Sequence, residues 1–153
     1  MPVQKLKKFL DDHNIKYISI KHSLAYTAQE VAASTHIRGK KIAKTVMIKV
    51  DGKMAMAVLP ASLRIDLAML KKATGGKKVK IAGEQEFQSL FPDCAVGAMP
   101  PFGNLYDMEV FADSSLKEED DIAFNAGSHT ELIQLAYKDF ERLARAKIAK
   151  ITS

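Results

Sequence analysis

Apolar residues along the first dozen positions recur three and four apart. Val3, Leu6, Phe9 and Leu10 share one face, so the spacing predicts a helix over residues 3 to 13. From residue 15 to 20 the period drops to two. Ile15, Tyr17 and Ser19 alternate with Lys16, Ile18 and Ile20, which suits a strand. Thr27 with Glu30 three residues on forms a capping-box pattern and predicts a short helix through Ser34, with Gly39 as its stop. Residues 45–50 and 53–59 are two strand-like runs joined by Asp51-Gly52, a dipeptide that supplies the positive φ angles of a tight hairpin. Pro60 is expected to end the second run. A helix follows over residues 63–73, with Leu63, Leu67 and Leu70 on one side and Gly75-Gly76 terminating it.

Residues 79–82 read as a short strand and 84–91 as a short helix stopped by Pro92. Residues 96–105 read as loop, because they hold Gly97, Pro100, Pro101 and Gly103. Strands are expected at 108–112, 122–125 and 132–135, with Gly127-Ser128-His129 as a turn between the last two. Residues 137–147 predict a C-terminal helix with a basic flank of Arg142, Arg145, Lys147 and Lys150. Met47, Met54 and Met56 alternate within the hairpin and are expected to pack the core. Hairpins mixed with isolated helices imply an α+β fold with a central mixed, largely antiparallel sheet surrounded by helices. Residues 1–153 fit one domain.

Composition narrows the setting. No apolar run reaches the roughly 18–20 residues of a membrane-spanning helix, so no membrane partner is expected. The N-terminal helix carries Lys5, Lys7 and Lys8 and lacks the continuous apolar stretch of a signal peptide. Cys94 is the only cysteine, which excludes an internal disulfide and points to a reducing cytoplasm. A net charge of +5 permits an anionic partner without demanding one.

Several chemistries are absent. There is no phosphate-binding glycine loop ending in Lys-Ser/Thr, no GxGxxG, no HExxH and no CxxC. His13, His22, His36 and His129 are dispersed, so neither a metal nor a cofactor is expected. Cys94 could act as a nucleophile with His129 as base. Beside Ala95 and Val96 it better fits a small core residue. Two features stand out. Lys44 sits where a loop runs into a strand, beside Lys40 and Lys41. It is either a solvated edge lysine or a fixed ammonium holding a carbonyl or phosphate oxygen. The loop Gly97-Ala98-Met99-Pro100-Pro101-Phe102-Gly103-Asn104 is stiff, with backbone N–H groups able to orient water or an oxyanion. It also fits a rigid turn closing a core edge.

Lys44 at a strand entrance, Gly97-Ala98-Met99-Pro100-Pro101 as a GxxxP loop, and Gly127-Ser128-His129, in that order, resemble the YbaK/ProX family. These are freestanding relatives of the editing domain inserted in bacterial prolyl-tRNA synthetase. The likeness runs over nearly the whole chain. It implies an aminoacyl-tRNA deacylase acting in trans on mischarged tRNA-Pro. The Gly-Ser-His turn and Pro-Pro-Phe-Gly run look more like the ProX-type proteins. Ala-tRNA-Pro, or another small residue, is therefore the expected substrate, with Cys-tRNA-Pro of the YbaK branch as the alternative.

The resemblance assigns roles. Lys44 positions the 3′-terminal nucleotide or the ester. Gly97 to Pro101 presents backbone N–H groups to the carbonyl and the attacking water. His129 shapes the pocket or bonds the substrate. Tyr26, Val31, Val46 and Phe102 are expected pocket walls, joined by Ala98, Met99, Pro100, Gly127 and Ser128. Lys40, Lys41, Arg142, Arg145 and Lys147 could meet acceptor-stem phosphates, or form a plain solvated face. A prolyl-tRNA synthetase or an elongation factor could be a partner. A module that binds tRNA or a synthetase without chemistry is the rival reading, as is a hydrolase of small aminoacyl esters with no tRNA requirement.

Overall fold

The computed structural model describes residues 2–21, 37, 39–91, 94 and 98–153. Helix α1 (Pro2–Asp12) forms where the spacing predicts it, and it buries Leu6 and Leu10 completely. Asn14, with φ 56°, turns the chain toward β1 (Tyr17–Lys21). Ile15, expected as the first strand residue, instead closes the helix end, its N–H donating to the Leu10 carbonyl at 3.0 Å. The helix expected at residues 27–34 lies outside the described residues. Gly39, expected as a helix stop, opens a 3-10 turn (Gly39–Lys41).

Strands β2 (Ile42–Val50) and β3 (Lys53–Pro60) form the expected hairpin. Asp51 and Gly52 have φ of 51° and 87°, as a tight turn between right-twisted strands requires. Pro60 is not outside β3 but pairs with Ala43 as its last residue, where a missing N–H costs little. Helix α2 (Leu67–Thr74) starts later than the periodicity predicts. Asp66 caps it by accepting from the Met69 N–H at 3.1 Å, and Gly75 ends it at φ 73°. Leu63 is left outside because residues 64–66 are drawn toward the C-terminus, Ile65 bridging Thr152. Next come β4 (Val79–Ile81) and a single turn α3 (Glu84–Phe87), which tightens into a 3-10 turn at Gln88–Leu90 instead of continuing to residue 91. The chain closes with β5 (Val110–Asp113), β6 (Asp121–Asn125), β7 (Glu131–Ala136), α4 (Tyr137–Ala144) and β8 (Lys147–Ala149).

The strands build one mixed sheet in the order β1-β7-β6-β2-β3-β5-β8, with β4 paired to β2 off that path. Pairs β1–β7, β6–β7, β2–β3 and β2–β4 are antiparallel, and β2–β6, β3–β5 and β5–β8 are parallel. Residues 55–60 of β3 are buried without alternation, which marks a central strand covered on both faces. One face carries Ala43, Met47, Met56, Val58 and Phe124 against Leu6 and Leu10 of α1 and Phe140 and Leu143 of α4. The other carries Ile48, Ala55, Ala57 and Phe111 against Leu70 of α2, with a separate cluster of Ile42, Ala61, Ala123 and Leu132. Met47 and Met56 are buried as expected, and Met54 packs against the same core. No helix among the described residues is long and apolar enough to cross a membrane.

The C-terminal helix is shorter than its pattern predicts, and Lys147 belongs to a strand. Arg145 adopts φ 53° and the Ala146 N–H returns to the Glu141 carbonyl, which closes α4. Residues 147–149 then run parallel to β5. Asp113, only 1% exposed, holds this tail: its carboxylate accepts from the Ile151 N–H at 2.9 Å, the Thr152 hydroxyl at 3.1 Å, and the Ser115 N–H and hydroxyl. Burial alone would raise the Asp113 carboxyl, but these hydrogen bonds more than offset it and hold it below its ordinary value. Its stabilisation is therefore present above the unfolded carboxyl pKa and lost as pH falls through the depressed one. Asp113→Ala is expected to destabilise the fold by about 2–4 kcal/mol, since it leaves buried donors unpaired. Denaturant titration at pH 7 checks this, and at acid pH the gap to wild type should narrow.

Candidate functional site at the opening of β2

Strand β2 changes neighbours along one edge. It pairs with β6 only at Ile42↔Ala123 and Ala43↔Phe124. It pairs with β4 only at Ile48↔Ile81, Lys49↔Lys80 and Val50↔Val79, with one further bond from the Ala82 N–H to the Met47 carbonyl. Among the described residues no strand pairs with Lys44, Thr45 or Val46 on that edge. Its other edge stays paired with β3 throughout, from Ala43↔Pro60 to Val50↔Lys53. The sheet is therefore opened at Lys44 while the strand itself is held rigid.

Side chains alternate along a strand, and this sets what reaches the opening. Ile42 and Ala123 belong to one apolar cluster, while Ala43 and Phe124 belong to the cluster of the opposite face. Lys44 and Asn125 are the next residue on each strand, so both fall on the face of Ile42 and Ala123. Val46 follows on that face and packs against the Ile48 and Phe111 cluster. Lys44 thus emerges between two apolar clusters. It is half-buried and makes no ion pair among the described residues. Burial, and then the nearby Arg64 guanidinium, push its ammonium below the ordinary lysine value. A cation kept off bulk water without a carboxylate is suited to hold an incoming carbonyl or phosphate oxygen.

Strand β6 runs on into the Ala126–Thr130 turn, which the Ala126 N–H closes on the Glu131 carbonyl at 3.1 Å. Gly127 has φ 97°, a conformation that side-chain-bearing residues rarely adopt. Its N–H donates to the Ala98 carbonyl at 2.8 Å, so the proline loop and this turn are joined directly. Residues 98–103 are buried throughout. Phe102 is fully buried, its ring packing against Phe9, Phe124 and Phe140 at centroid distances of 5.7, 5.5 and 5.9 Å. It anchors the loop from behind in the core. Gly103 is required there, since a Cβ would meet the Met108 carbonyl oxygen at 2.5 Å. Ser128 lies 3.3 Å from the Thr130 hydroxyl, and His129 is 9% exposed. Ala98, Met99, Pro100 and Pro101 are likewise buried, on a loop stiffened by two prolines. Gly97, Tyr26 and Val31 lie outside the described residues.

The expected tRNA-facing cations divide into two groups. Lys40 and Lys41 occupy the 3-10 turn just before β2, with Lys40 facing Glu119 at 3.8 Å. Arg142 faces Asp139 at 3.4 Å, and Arg145 forms the left-handed end of α4. That helix packs on the face opposite Lys44, so the structure does not bring Arg142 and Arg145 to the opening. Cys94 packs against the core with its Sγ 3.8 Å from the Tyr106 hydroxyl.

Three residues at the opening escape sequence reading. Arg64 falls inside an expected helix, yet it is exposed and close enough to act on Lys44. The Asn125 Oδ1 and Thr45 Oγ1 atoms are buried with no hydrogen-bond partner among the described residues. Buried polar atoms are nearly always paired, so these two are candidates to receive a ligand group. Strand register puts Asn125 on the face of Lys44, whereas Thr45, the next residue of β2, points to the opposite face with Ala43 and Met47.

A family model described as the aminoacyl-tRNA editing domain matches residues 22–143. The chain is 29% identical to an Escherichia coli K12 protein named multifunctional Ser/Thr-tRNA deacylase ProXp-y, covering 95% of this chain and 89% of that one. It is 28% identical over 88 residues to a proline–tRNA ligase of Bacillus mycoides, which is 58% of this chain and 15% of the ligase. A crystal structure described as a candidate trans-editing enzyme for prolyl-tRNA synthetase superposes with a TM-score of 0.85 at 19% identity, covering 99% and 97% of the two chains.

A half-buried lysine with no carboxylate among the described residues costs stability. Lys44→Met keeps the unbranched apolar stem and removes the charge, so it is expected to leave stability unchanged or raise it, by up to about 1 kcal/mol. A thermal melt checks this. A drop in melting temperature would mean that the ammonium has a structural partner.

Proposed function

The chain belongs to the aminoacyl-tRNA editing domain family, and on that premise we propose that it hydrolyses the ester linking a small, wrongly attached amino acid to tRNA-Pro. The observation that carries this reading is Lys44, a half-buried ammonium with no carboxylate partner among the described residues, at the point where β2 leaves β6. Strand β6 leads straight from there into the turn that is hydrogen-bonded to the proline loop.

In the proposed reaction a water oxygen adds to the ester carbonyl carbon. The tetrahedral adduct then breaks its bond to the ribose oxygen, which takes up a proton as the free amino acid leaves. Lys44 holds the 3′-terminal nucleotide or the ester oxygen by charge. Backbone N–H groups of the loop from Gly97 to Pro101 orient the carbonyl and the water; the two prolines contribute rigidity, having no N–H of their own. Ala98, Met99, Pro100, Gly127, Ser128 and Val46 shape the pocket with His129. Such a second site is needed because a proline pocket rejects a residue smaller by one methylene by only about 1–3 kcal/mol. Lys40 and Lys41, next to Lys44 in the chain, meet the end of the tRNA.

Alanine is the first amino acid to test. A second reading, serine or threonine, is favoured by the name of the Escherichia coli relative and by Asn125 Oδ1 on the Lys44 face, a buried atom with no hydrogen-bond partner among the described residues, which could bond a side-chain hydroxyl. Because proline–tRNA ligases contain a matching segment, prolyl-tRNA synthetase is the first partner to test, and an elongation factor the second.

The experiment times the loss of Ala, Ser, Thr, Cys, 2-aminobutyrate and Pro from tRNA-Pro. Small residues should be removed and Pro spared. Lys44→Ala should be slower by about 10²–10³-fold, the usual cost of deleting one electrostatic stabiliser of a transition state. Decay of every ester at the buffer rate, with tRNA still bound, would favour a binding module.

A further inference from the structure

The densest basic stretch of the described surface lies outside every site above. Residues 71–80 read Lys-Lys-Ala-Thr-Gly-Gly-Lys-Lys-Val-Lys, and no acidic residue occurs from 67 to 83. All five lysines are exposed. Lys80 stands opposite Lys49 across the β2–β4 pair, and the two share the Glu86 carboxylate, 2.9 Å from Lys49 and 3.6 Å from Lys80. Lys71, Lys72, Lys77 and Lys78 have no ion pair among the described residues.

Their backbone is fixed. The Asp51 carboxylate accepts the N–H groups of Lys77 at 2.9 Å and Lys78 at 2.8 Å, and the Lys78 carbonyl accepts the Asp51 N–H at 2.8 Å. Gly76 presses onto the hairpin so closely that a Cβ would lie 2.6 Å from Val50 Cγ1. Asp51 is thus occupied with backbone donors, and the lysine ammoniums are left to solvent. Lys71 and Lys72 close the last turn of α2, which covers the same sheet face on which Lys44 opens. At the other end of α2, three residues before Leu67, stands Arg64, exposed and without an ion pair among the described residues, beside Lys44. At about 3.3 Å per strand residue, Lys44 and Asp51 are roughly 23 Å apart along β2. The opening and the lysine cluster therefore mark the two ends of a track along α2, with Arg64 at its inner end, the lysines at its outer end and uncharged residues 67–70 between.

We propose that the phosphate backbone of the tRNA acceptor arm lies along this track, from Arg64 beside Lys44 to Lys71, Lys72, Lys77 and Lys78. Unpaired like charges held together repel one another, and a polyanion relieves this by releasing its own condensed counterions. The paired Lys40 and Arg142 must give up carboxylates to do the same, and Arg142 lies on the opposite sheet face. The proposal rests on the deacylase reading above.

The test replaces all four lysines with Gln, which preserves helix propensity in α2. Deacylation is measured on intact aminoacyl-tRNA and on the corresponding 2′(3′)-aminoacyl adenosine, across a range of salt concentrations. The variant should raise KM on intact tRNA at least tenfold more than on the adenosine ester. Its plot of log binding constant against log salt should be shallower by about 0.7–0.9 for each phosphate that the lysines neutralise in the wild type. Equal effects on both substrates, no effect on either, or the same change of slope in Arg142→Gln/Arg145→Gln instead would overturn the proposal. If the wild type cleaves neither substrate, the deacylase reading falls, and titration with uncharged tRNA still decides whether the four lysines bind RNA.

Discussion

Strand β2 cannot satisfy both of its neighbours on one edge. It runs parallel to β6 for two residues and antiparallel to β4 for three, and Lys44, Thr45 and Val46 between them have no partner strand there among the described residues. Strand β3, paired along the whole hairpin and buried on both faces, keeps β2 straight through this gap. Everything at the candidate site follows from that mismatch. It frees the β2-facing edge of β6 at Asn125, the residue that leads into the turn joined to the proline loop, and it leaves one lysine between two apolar clusters. A sheet with continuous pairing at Lys44 would have closed this space.

The opening is maintained against the ordinary preferences of a core. Lys44 loses hydration without gaining a carboxylate among the described residues, and Arg64 adds repulsion. Asn125 and Thr45 each bury an oxygen that the described residues leave unbonded. Such local costs persist only where the surroundings are rigid. Here the rigidity comes from the aromatic packing of Phe102 behind the proline loop, and from the Gly127–Ala98 hydrogen bond. Far from the opening, Asp113 binds the tail, and the tail holds residues 64–66, which sets Arg64 near Lys44 ahead of α2.

How much of this is legible in the sequence depends on the range of the forces involved. The Asp51-Gly52 hairpin, the Gly75 helix stop and the core methionines are set by neighbours in the chain, and local pattern finds them. Strand β8 and the true start of α2 depend on Asp113 reaching residues nearly forty positions away, which no local spacing shows. At the site, Lys44 stands out through its place at a strand entrance, and the loop and turn stand out through their glycines and prolines. Asn125 and Arg64 do not, because a side chain's face is fixed by strand register and by where a helix begins. The lysines of residues 71–80 look locally like the end of a helix and the start of a strand. That Lys71, Lys72, Lys77 and Lys78 lack counter-ions among the described residues becomes visible only when the fold places the carboxylates.

The central claim is that Lys44 acts as a desolvated ammonium. The most direct measurement is its own titration, followed by NMR of the lysine Nζ and Cε signals, beside the pH profile of kcat/KM on a minimal aminoacyl ester. Because the charged form does the work, activity should fall as pH rises through a Lys44 pKa lying below the ordinary lysine value, and the two midpoints should coincide. A Lys44 that titrates like a free lysine, or an alkaline limb that survives in Lys44→Ala, would contradict the account.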